Sequence, residues 1–244
     1  MRAPENVAII VAAGSGLRMK ASMPKQFLEL GNHPILWYTL KPFMQCQDIN
    51  QIFIVVPKLY KNTCENEIIT PLSQKFQRHT SGKLIINCIS GGERRQDSVY
   101  AGLKAIGGLC DIVIIHDGVR PFVTPRHISH IINQAKMNKA VIFGMKPRDT
   151  VKMIDHNSAI TQSIDRERLI MAQTPQAFSY ALIKRAHEYA NNKGFFATDD
   201  AMLIEYMGEK VFVEQGHPLN IKITTPEDLF FSKTILTHWP PDNL

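Results

Sequence analysis

At 244 residues, 44% of them hydrophobic, the chain has enough apolar content to fill the core of one large α/β domain spanning 1–244, with at most a small appendage. No apolar run approaches the roughly 18 residues of a membrane span. A strand pattern already under way at Val7 leaves no room for a signal or transit peptide, so a cytoplasmic location is expected and a membrane partner is not. The formal net charge of +6 comes from dispersed basic residues, which argues against nucleic acid and for a basic cleft that takes a small anionic substrate. Cys46, Cys64, Cys88 and Cys110 are scattered, form no CxxC pair, and read as ordinary thiols rather than a metal site.

Apolar runs of strand length fall at 7–12, 52–56, 84–88, 112–116 and 140–145. Helical stretches lie between them at 35–44, 62–76, 96–106 and 125–138. Continuous Val/Ile runs predict strands buried on both faces, hence an α/β fold with a Rossmann-like, mostly parallel twisted sheet flanked by helices. Residues 146–168 break the rhythm. Segments 150–154 and 160–164 predict two short strands around Asp155-His156-Asn157-Ser158, a protruding hairpin arm outside the main sheet. A lone hairpin is marginal in water, so the arm is expected to pack against a partner, with a second subunit (a homodimer) as the natural candidate. The chain returns through Thr174-Pro175-Gln176-Ala177-Phe178 to helices at 180–192 and 199–207 and a strand at 211–215. A last helix opens at Thr225-Pro226-Glu227-Asp228, with threonine to cap, proline in the first turn and acids beside the helix N-terminus.

Ligands of parallel sheets sit at the carboxyl ends of strands, so chemistry is sought there. After the first strand come Ala12-Ala13-Gly14-Ser15-Gly16-Leu17-Arg18-Met19 and then Pro24-Lys25-Gln26. Glycines without Cβ let backbone N–H groups approach a phosphate, and Arg18 and Lys25 can neutralise a polyphosphate. The third glycine of the dinucleotide fingerprint is replaced by Met19, and no carboxylate follows the next strand at Val56-Pro57. The Gly-Lys-Ser/Thr of the Walker loop is absent, as is the lipase-type G-x-S-x-G. After the 84–88 strand, Gly91-Gly92 exposes backbone groups for a base edge, and Glu93 and Ser98 are within reach of a ribose or base. After the 112–116 strand, Asp117 is the candidate Mg²⁺ ligand, preferred over His116 because Mg²⁺ favours oxygen; Arg120 is placed for a second phosphate. Arg148, Asp149, Thr150, Asp165 and Arg166 flank the arm either as structural ion pairs or as ligands. Lys222, on an apolar strand-like segment, either faces solvent or serves the site, and Thr198-Asp199-Asp200 reads as a helix cap.

The segment A-A-G-x-G-x-R-M…P-K-Q resembles the signature loop of nucleotidyltransferases that join nucleoside triphosphates to sugar or polyol phosphates. Together with G-G-E-R-R-Q-D-S-V, H-D-G-V-R-P-F, R-D-T-V-K, D-R-E-R-L, T-P-Q-A-F, T-D-D-A and N-I-K-I-T-T-P-E-D-L, in this order, the chain resembles the 2-C-methyl-D-erythritol 4-phosphate cytidylyltransferases of the non-mevalonate isoprenoid pathway. The resemblance runs from Ala12 to about Leu229 and implies CTP and a polyol phosphate as substrates, with Mg²⁺ as cofactor. It implies that Arg18 and Lys25 grip the triphosphate. Ala12, Ala13, Gly14, Gly16, Gly92, Glu93 and Ser98 would line the nucleotide site, and Asp117 would touch Mg²⁺. Lys222, Arg120, Thr150, Arg166 and Thr174 would hold the methylerythritol phosphate, with Arg18, Lys25, Arg166 and Lys222 the catalytic cations. In this family the arm swaps contacts across a dimer, so Thr150 and Arg166 would serve the partner's site. The chain departs from the pattern at Leu219, where relatives often carry an acid, and at Gly118, where alanine is common.

The implied reaction is attack by a phosphate monoester oxygen on the α-phosphorus of CTP, with pyrophosphate leaving. A monoester with a second pKa of about 6 is already largely dianionic near neutrality, so no general base is needed, and the sequence offers no Ser-His-Asp set. Ribitol-5-phosphate cytidylyltransferase shares much of the loop chemistry and is the alternative substrate reading; the R-D-T-V-K and D-R-E-R-L arm favours the methylerythritol enzyme. A non-catalytic nucleotide-binding regulator is the alternative of another class, disfavoured because a sensor would not need both cationic clamps and a metal ligand.

Overall fold

The continuous Val/Ile runs become strands: β1 (Glu5–Val11), β4 (Gln51–Val56), β6 (Cys110–Asp117) and β7 (Ala140–Met145) are mostly buried, while β5 (Ile85–Ser90), at the sheet edge, buries only Cys88. The structure is a computed structural model that describes residues 5–14, 19, 23–76, 84–107 and 110–240. Among these residues one seven-stranded sheet has the order β11-β7-β10-β6-β1-β4-β5, with β10 at Met171–Ser179 and β11 at Phe212–Gln215. Every pairing is parallel except those of β10, which runs antiparallel to both β6 and β7.

Strand β10 is the strand of the main sheet that sequence periodicity missed. Pro175 has no N–H to give a ladder, and the register of β10 against β7 shifts between Gln173 and Gln176, a bulge that carries the proline inside a central strand. The chain leaves β7 through the arm and re-enters the sheet at the same end, so β10 must run opposite to its neighbours. The arm is β8 (Lys152–Ile154) paired antiparallel with β9 (Ile160–Ser163), and its residues are exposed. Asp155 Oδ1 accepts the N–H groups of Asn157 and Ala159, each at 2.9 Å, and Ser158 takes a positive φ of 65° in the turn.

Helices cover both faces. On one lie α1 (Ile35–Gln45), α5 (Pro125–Asn138) and the helical run 58–75, packed on Ala8, Ile10, Ile52 and Ile54. On the other lie α4 (Arg95–Ala105), α6 (Tyr180–Lys193) and α7 (Asp200–Tyr206), packed on Val7, Ile9, Val113 and Ile115. The single helix expected at 62–76 is broken into 3₁₀ turn Lys58–Tyr60, α2 (Lys61–Thr63), a π turn at Cys64–Ile69 and α3 (Thr70–Lys75). The wide turn immediately precedes Pro71, whose missing N–H and ring disfavour an ordinary α turn there.

A short pair, β2 (Glu29–Leu30) with β3 (His33–Pro34), and the last helix α8 (Pro226–Thr237) enclose a third small core of Leu30, Ile35, Val119, Phe122 and Ile223. Helix α8 starts as its sequence dictates, with Thr225 and Asp228 forming a reciprocal capping box. No helix among the described residues is long and apolar enough to cross a membrane.

Candidate active site

Strands β1 and β6 end level, Val11 opposite Asp117, so the loops that follow them leave the sheet side by side. Ala12 gives its N–H to Val55 at 2.7 Å and the chain turns away toward Gly14. The buried Gln26 side chain donates to the carbonyl of Ala12 and, at 3.3 Å, to that of Gly14. This pins the 3₁₀ turn Lys25–Phe27 to the loop and brings Lys25 to the wall opposite.

The second glycine loop meets the first across the end of β4. Gly91 donates to Val56 at 2.9 Å, and a Cβ at Gly91 would fall 2.4 Å from Ala13 Cβ and 2.7 Å from Ser98 Oγ. Only glycine allows so close an approach. Ser98 Oγ accepts the Gly92 N–H at 3.2 Å and shapes the loop from beneath. Arg94 is held at the rim, forked onto Asp97 at 2.8 Å and stacked 3.8 Å from the Phe196 ring.

Asp117 forms the floor and is 5% exposed. Its Oδ1 accepts Arg95 Nε at 3.1 Å; its Oδ2 lies 2.8 Å from Lys222 Nζ and 3.5 Å from Arg120 Nε. Burial alone would raise its pKa, but Arg95, Lys222 and Arg120 outweigh that and hold the carboxyl far below the usual range. Arg95, a quarter exposed, also loses solvation at a cost to its charge, which Asp200 and Asp117 more than offset, so its pKa is raised.

Lys222 reaches Asp117 from a segment without helix or strand structure, contrary to its strand-like sequence. Three contacts hold that segment. Arg120 Nη1 donates to the Asn220 carbonyl at 2.8 Å, Asn220 Nδ2 donates to the Thr174 carbonyl at 2.8 Å, and the Ile223 N–H donates to Val119 at 2.9 Å. With Ile223 fully buried in the third core, the adjacent Lys222 is turned toward the carboxylate.

These loops enclose a cavity of about 170 Å³. Of the residues singled out in the sequence, Ala12, Ala13, Gly14, Lys25, Gly92, Glu93, Ser98, Asp117 and Lys222 line it. Arg120 and Thr174 stand behind its wall, the first on Asp117 and Asn220, the second buried with its hydroxyl accepting the Asp117 N–H at 3.1 Å. Thr150 and Arg166 are exposed on the arm and do not line the cavity; Arg166 donates to the Arg148 carbonyl at 2.8 Å. Gly16 and Arg18 lie outside the described residues. Sequence reasoning passed over Gln26, Arg95 and Asp200. The T-D-D segment reads as a cap, and Asp199 does cap α7, accepting the Met202 N–H at 3.0 Å; Asp200 instead turns inward to Arg95 at 2.7 Å. A buried acid and a part-buried arginine 105 residues apart leave no local signal.

Among the described residues no cluster of three or more His, Cys, Asp or Glu side chains is placed to hold a metal. The site is instead a cationic hollow with one buried carboxylate, suited to a polyanion. Comparison with known proteins agrees. The family model for 2-C-methyl-D-erythritol 4-phosphate cytidylyltransferase matches residues 6–238. The enzyme of that name from Clostridium botulinum (strain Eklund 17B / Type B) is 42% identical over 229 residues, covering 94% of this chain and 98% of its own. That from Halalkalibacterium halodurans is 42% identical over 232 residues, covering 95% and 97%. The crystal structure of 4-diphosphocytidyl-2C-methyl-D-erythritol synthase from Anaerococcus prevotii superposes with a TM-score of 0.81 at 36% identity, covering 96% of each chain. This chain belongs to the 2-C-methyl-D-erythritol 4-phosphate cytidylyltransferase family and is a nucleotidyltransferase that joins CTP to that phosphate monoester.

Proposed function

We propose that the cavity at the carboxyl ends of β1, β5 and β6 is where the transfer occurs, with the two substrates meeting above Asp117. The observation that carries this reading is the placement of Lys25 and Lys222 on the lining of one cavity floored by a single buried carboxylate. Ala12, Ala13, Gly14, Gly92, Glu93 and Ser98 receive base and ribose, with Gly16 and Arg18 of the same loop completing the nucleotide grip. Lys25 and Arg18 balance the triphosphate. Lys222 and Arg166 balance the incoming monoester, Thr150 helps to orient it, and Arg120 and Thr174 act from behind by fixing Asp117.

An oxygen of the methylerythritol phosphate attacks the α-phosphorus of CTP in line. The new P–O bond forms as the α–β bridge bond breaks, and pyrophosphate departs with the electron pair. No proton need be removed from a dianionic nucleophile. That suits His116, whose two ring nitrogens are already engaged by Arg120 and Thr174. The rate enhancement comes from holding two polyanions together and from fixed cations facing the charge that builds up.

The donor set fits Mg²⁺ bound mainly by phosphate oxygens and water, with Asp117, one of two carboxylates on the cavity lining, as the protein ligand and Leu219 offering none. A bound Mg²⁺ would neutralise triphosphate charge and polarise the α-phosphate. We assign the arm, 146–168 within a single 1–244 domain, to a homodimer contact; the exposed Met153, Ile154 and Ile160 support it. Cytoplasmic residence completes the reading. The test is pyrophosphate release with CTP and Mg²⁺, comparing methylerythritol 4-phosphate with ribitol 5-phosphate. Turnover with the first is expected; turnover with the second alone overturns the substrate assignment, and silence with both overturns the site.

A further inference from the structure

Behind the cavity runs a chain of buried polar groups that the reaction as described does not use. Asp200 is 1% exposed although Asp199, not Asp200, caps its helix. Its Oδ2 accepts Arg95 Nη1 at 2.7 Å and its Oδ1 accepts His187 Nε2 at 3.2 Å. His187, from α6, is fully buried and lies parallel to the Tyr100 ring of α4 at 5.9 Å. Its Nδ1 has no hydrogen-bond partner among the described residues, so Nε2 is the ring nitrogen engaged, on Asp200. Beyond Asp200, Arg95 Nε donates to Asp117 Oδ1 at 3.1 Å, and Asp117 Oδ2 holds Lys222 at 2.8 Å. The groups therefore form one series: His187, Asp200, Arg95, Asp117, Lys222.

A guanidinium offers two parallel N–H groups to a carboxylate when it can. Arg95 does not do so with Asp117; it spends Nε there and Nη1 on Asp200, while its buried Nη2 has no partner among the described residues. We propose that Asp200, steadied by His187, is a positioning residue for the transfer: by holding Nη1 it fixes the tilt of the Arg95 guanidinium so that Nη2, the fork partner of Nε, stays off Asp117, and so leaves Asp117 Oδ2 to hold Lys222 in the cavity. The inference rests on the placement of Lys222 at the reacting phosphates proposed above.

The experiment is steady-state kinetics and thermal melting of the full chain with CTP, Mg²⁺ and methylerythritol 4-phosphate. Asp200→Asn keeps the size of the side chain and removes the charge that attracts Arg95. Its kcat falls about tenfold while KM for CTP stays within about twofold, because Asp200 itself does not line the cavity. In an Arg95→Lys background, where no fork exists to tilt, Asp200→Asn costs little more, and this non-additivity separates positioning from mere folding. Additive losses, or a lowered melting temperature with unchanged kcat, overturn the proposal. If Asp200→Asn does not fold, the pair His187→Leu and His187→Gln decides: Leu lowers kcat and Gln, which can still donate to Asp200, restores it, whereas equal kcat in the two variants overturns the proposal. Lys222→Ala is run alongside. Full turnover in Lys222→Ala defeats the reading of the site itself; a crippled Lys222→Ala beside a normal Asp200→Asn defeats only the role given to Asp200.

Discussion

The Thr174 hydroxyl lies 3.0 Å from Nδ1 of His116, and the same oxygen accepts the Asp117 N–H at 3.1 Å. The Arg120 carbonyl can only accept, so Nε2 carries the ring proton and donates to it at 2.9 Å. Nδ1 of the neutral ring is then an acceptor and takes the proton of the Thr174 hydroxyl. The β6 end, the antiparallel strand β10 and the turn before Arg120 are thereby joined through one neutral imidazole.

That neutrality has a pH signature. Burial pushes the His116 pKa down to about 4, from an ordinary 6.5. A base whose pKa is depressed by folding binds fewer protons in the native state than in the unfolded one between the two values. Its contribution is therefore complete above about 6.5 and lost as pH falls toward 4, by about 3 kcal/mol in all. Urea midpoints of the protein alone at pH 7, 5.5 and 4 should fall more steeply for the natural chain than for His116→Gln. Parallel slopes would remove His116 as the cause.

Lys25→Ala should lower kcat roughly 10²–10³-fold, the usual consequence of deleting one preorganised donor to developing charge. The measurement is pyrophosphate release at saturating CTP. Unchanged turnover would take Lys25 out of the reaction.

Gly118→Ala tests how tightly β1 and β6 end together. A Cβ there would lie 2.7 Å from Ala12 Cβ and 3.1 Å from the Val11 carbonyl oxygen, so backbone has to move. Overpacking of this kind costs about 1–3 kcal/mol. A lower melting temperature and a raised KM for CTP are expected, since Ala12 lines the cavity. An unaltered melting curve would show that the two strand ends separate freely.

Mixing Arg166→Ala with Lys25→Ala chains should recover part of the activity that each lacks alone. An arm reaching into a partner's cavity lets one site of a mixed dimer draw both intact residues. Activity no greater than the sum of the separate variants would place Arg166 outside the partner's site.

Much of this molecule was legible before its structure. Val/Ile runs marked the parallel strands because a strand covered on both faces needs apolar side chains on both. Gly91-Gly92 marked one wall of the cavity because a Cβ at either would clash, at Gly91 with Ala13 and at Gly92 with Asp97, whereas a Cβ at Gly14 would meet nothing. Thr225 and Asp228 marked the start of α8 because unpaired N–H groups of a first helical turn need local acceptors. Each of these causes acts within a few residues, or through burial that composition already reports.

Other features were decided by the tertiary structure alone. Pro175 broke the pattern of β10, and only a bulge against β7 makes it a central strand. The segment around Lys222 reads as a strand, yet it is held by Asn220, Ile223 and Val119 without a ladder. Most of all, Arg95 meets carboxylates 22 and 105 residues away. Which charge faces which is set by where strand ends and helix starts come to rest, because a buried ion finds its counter-charge in space and leaves no period in the chain.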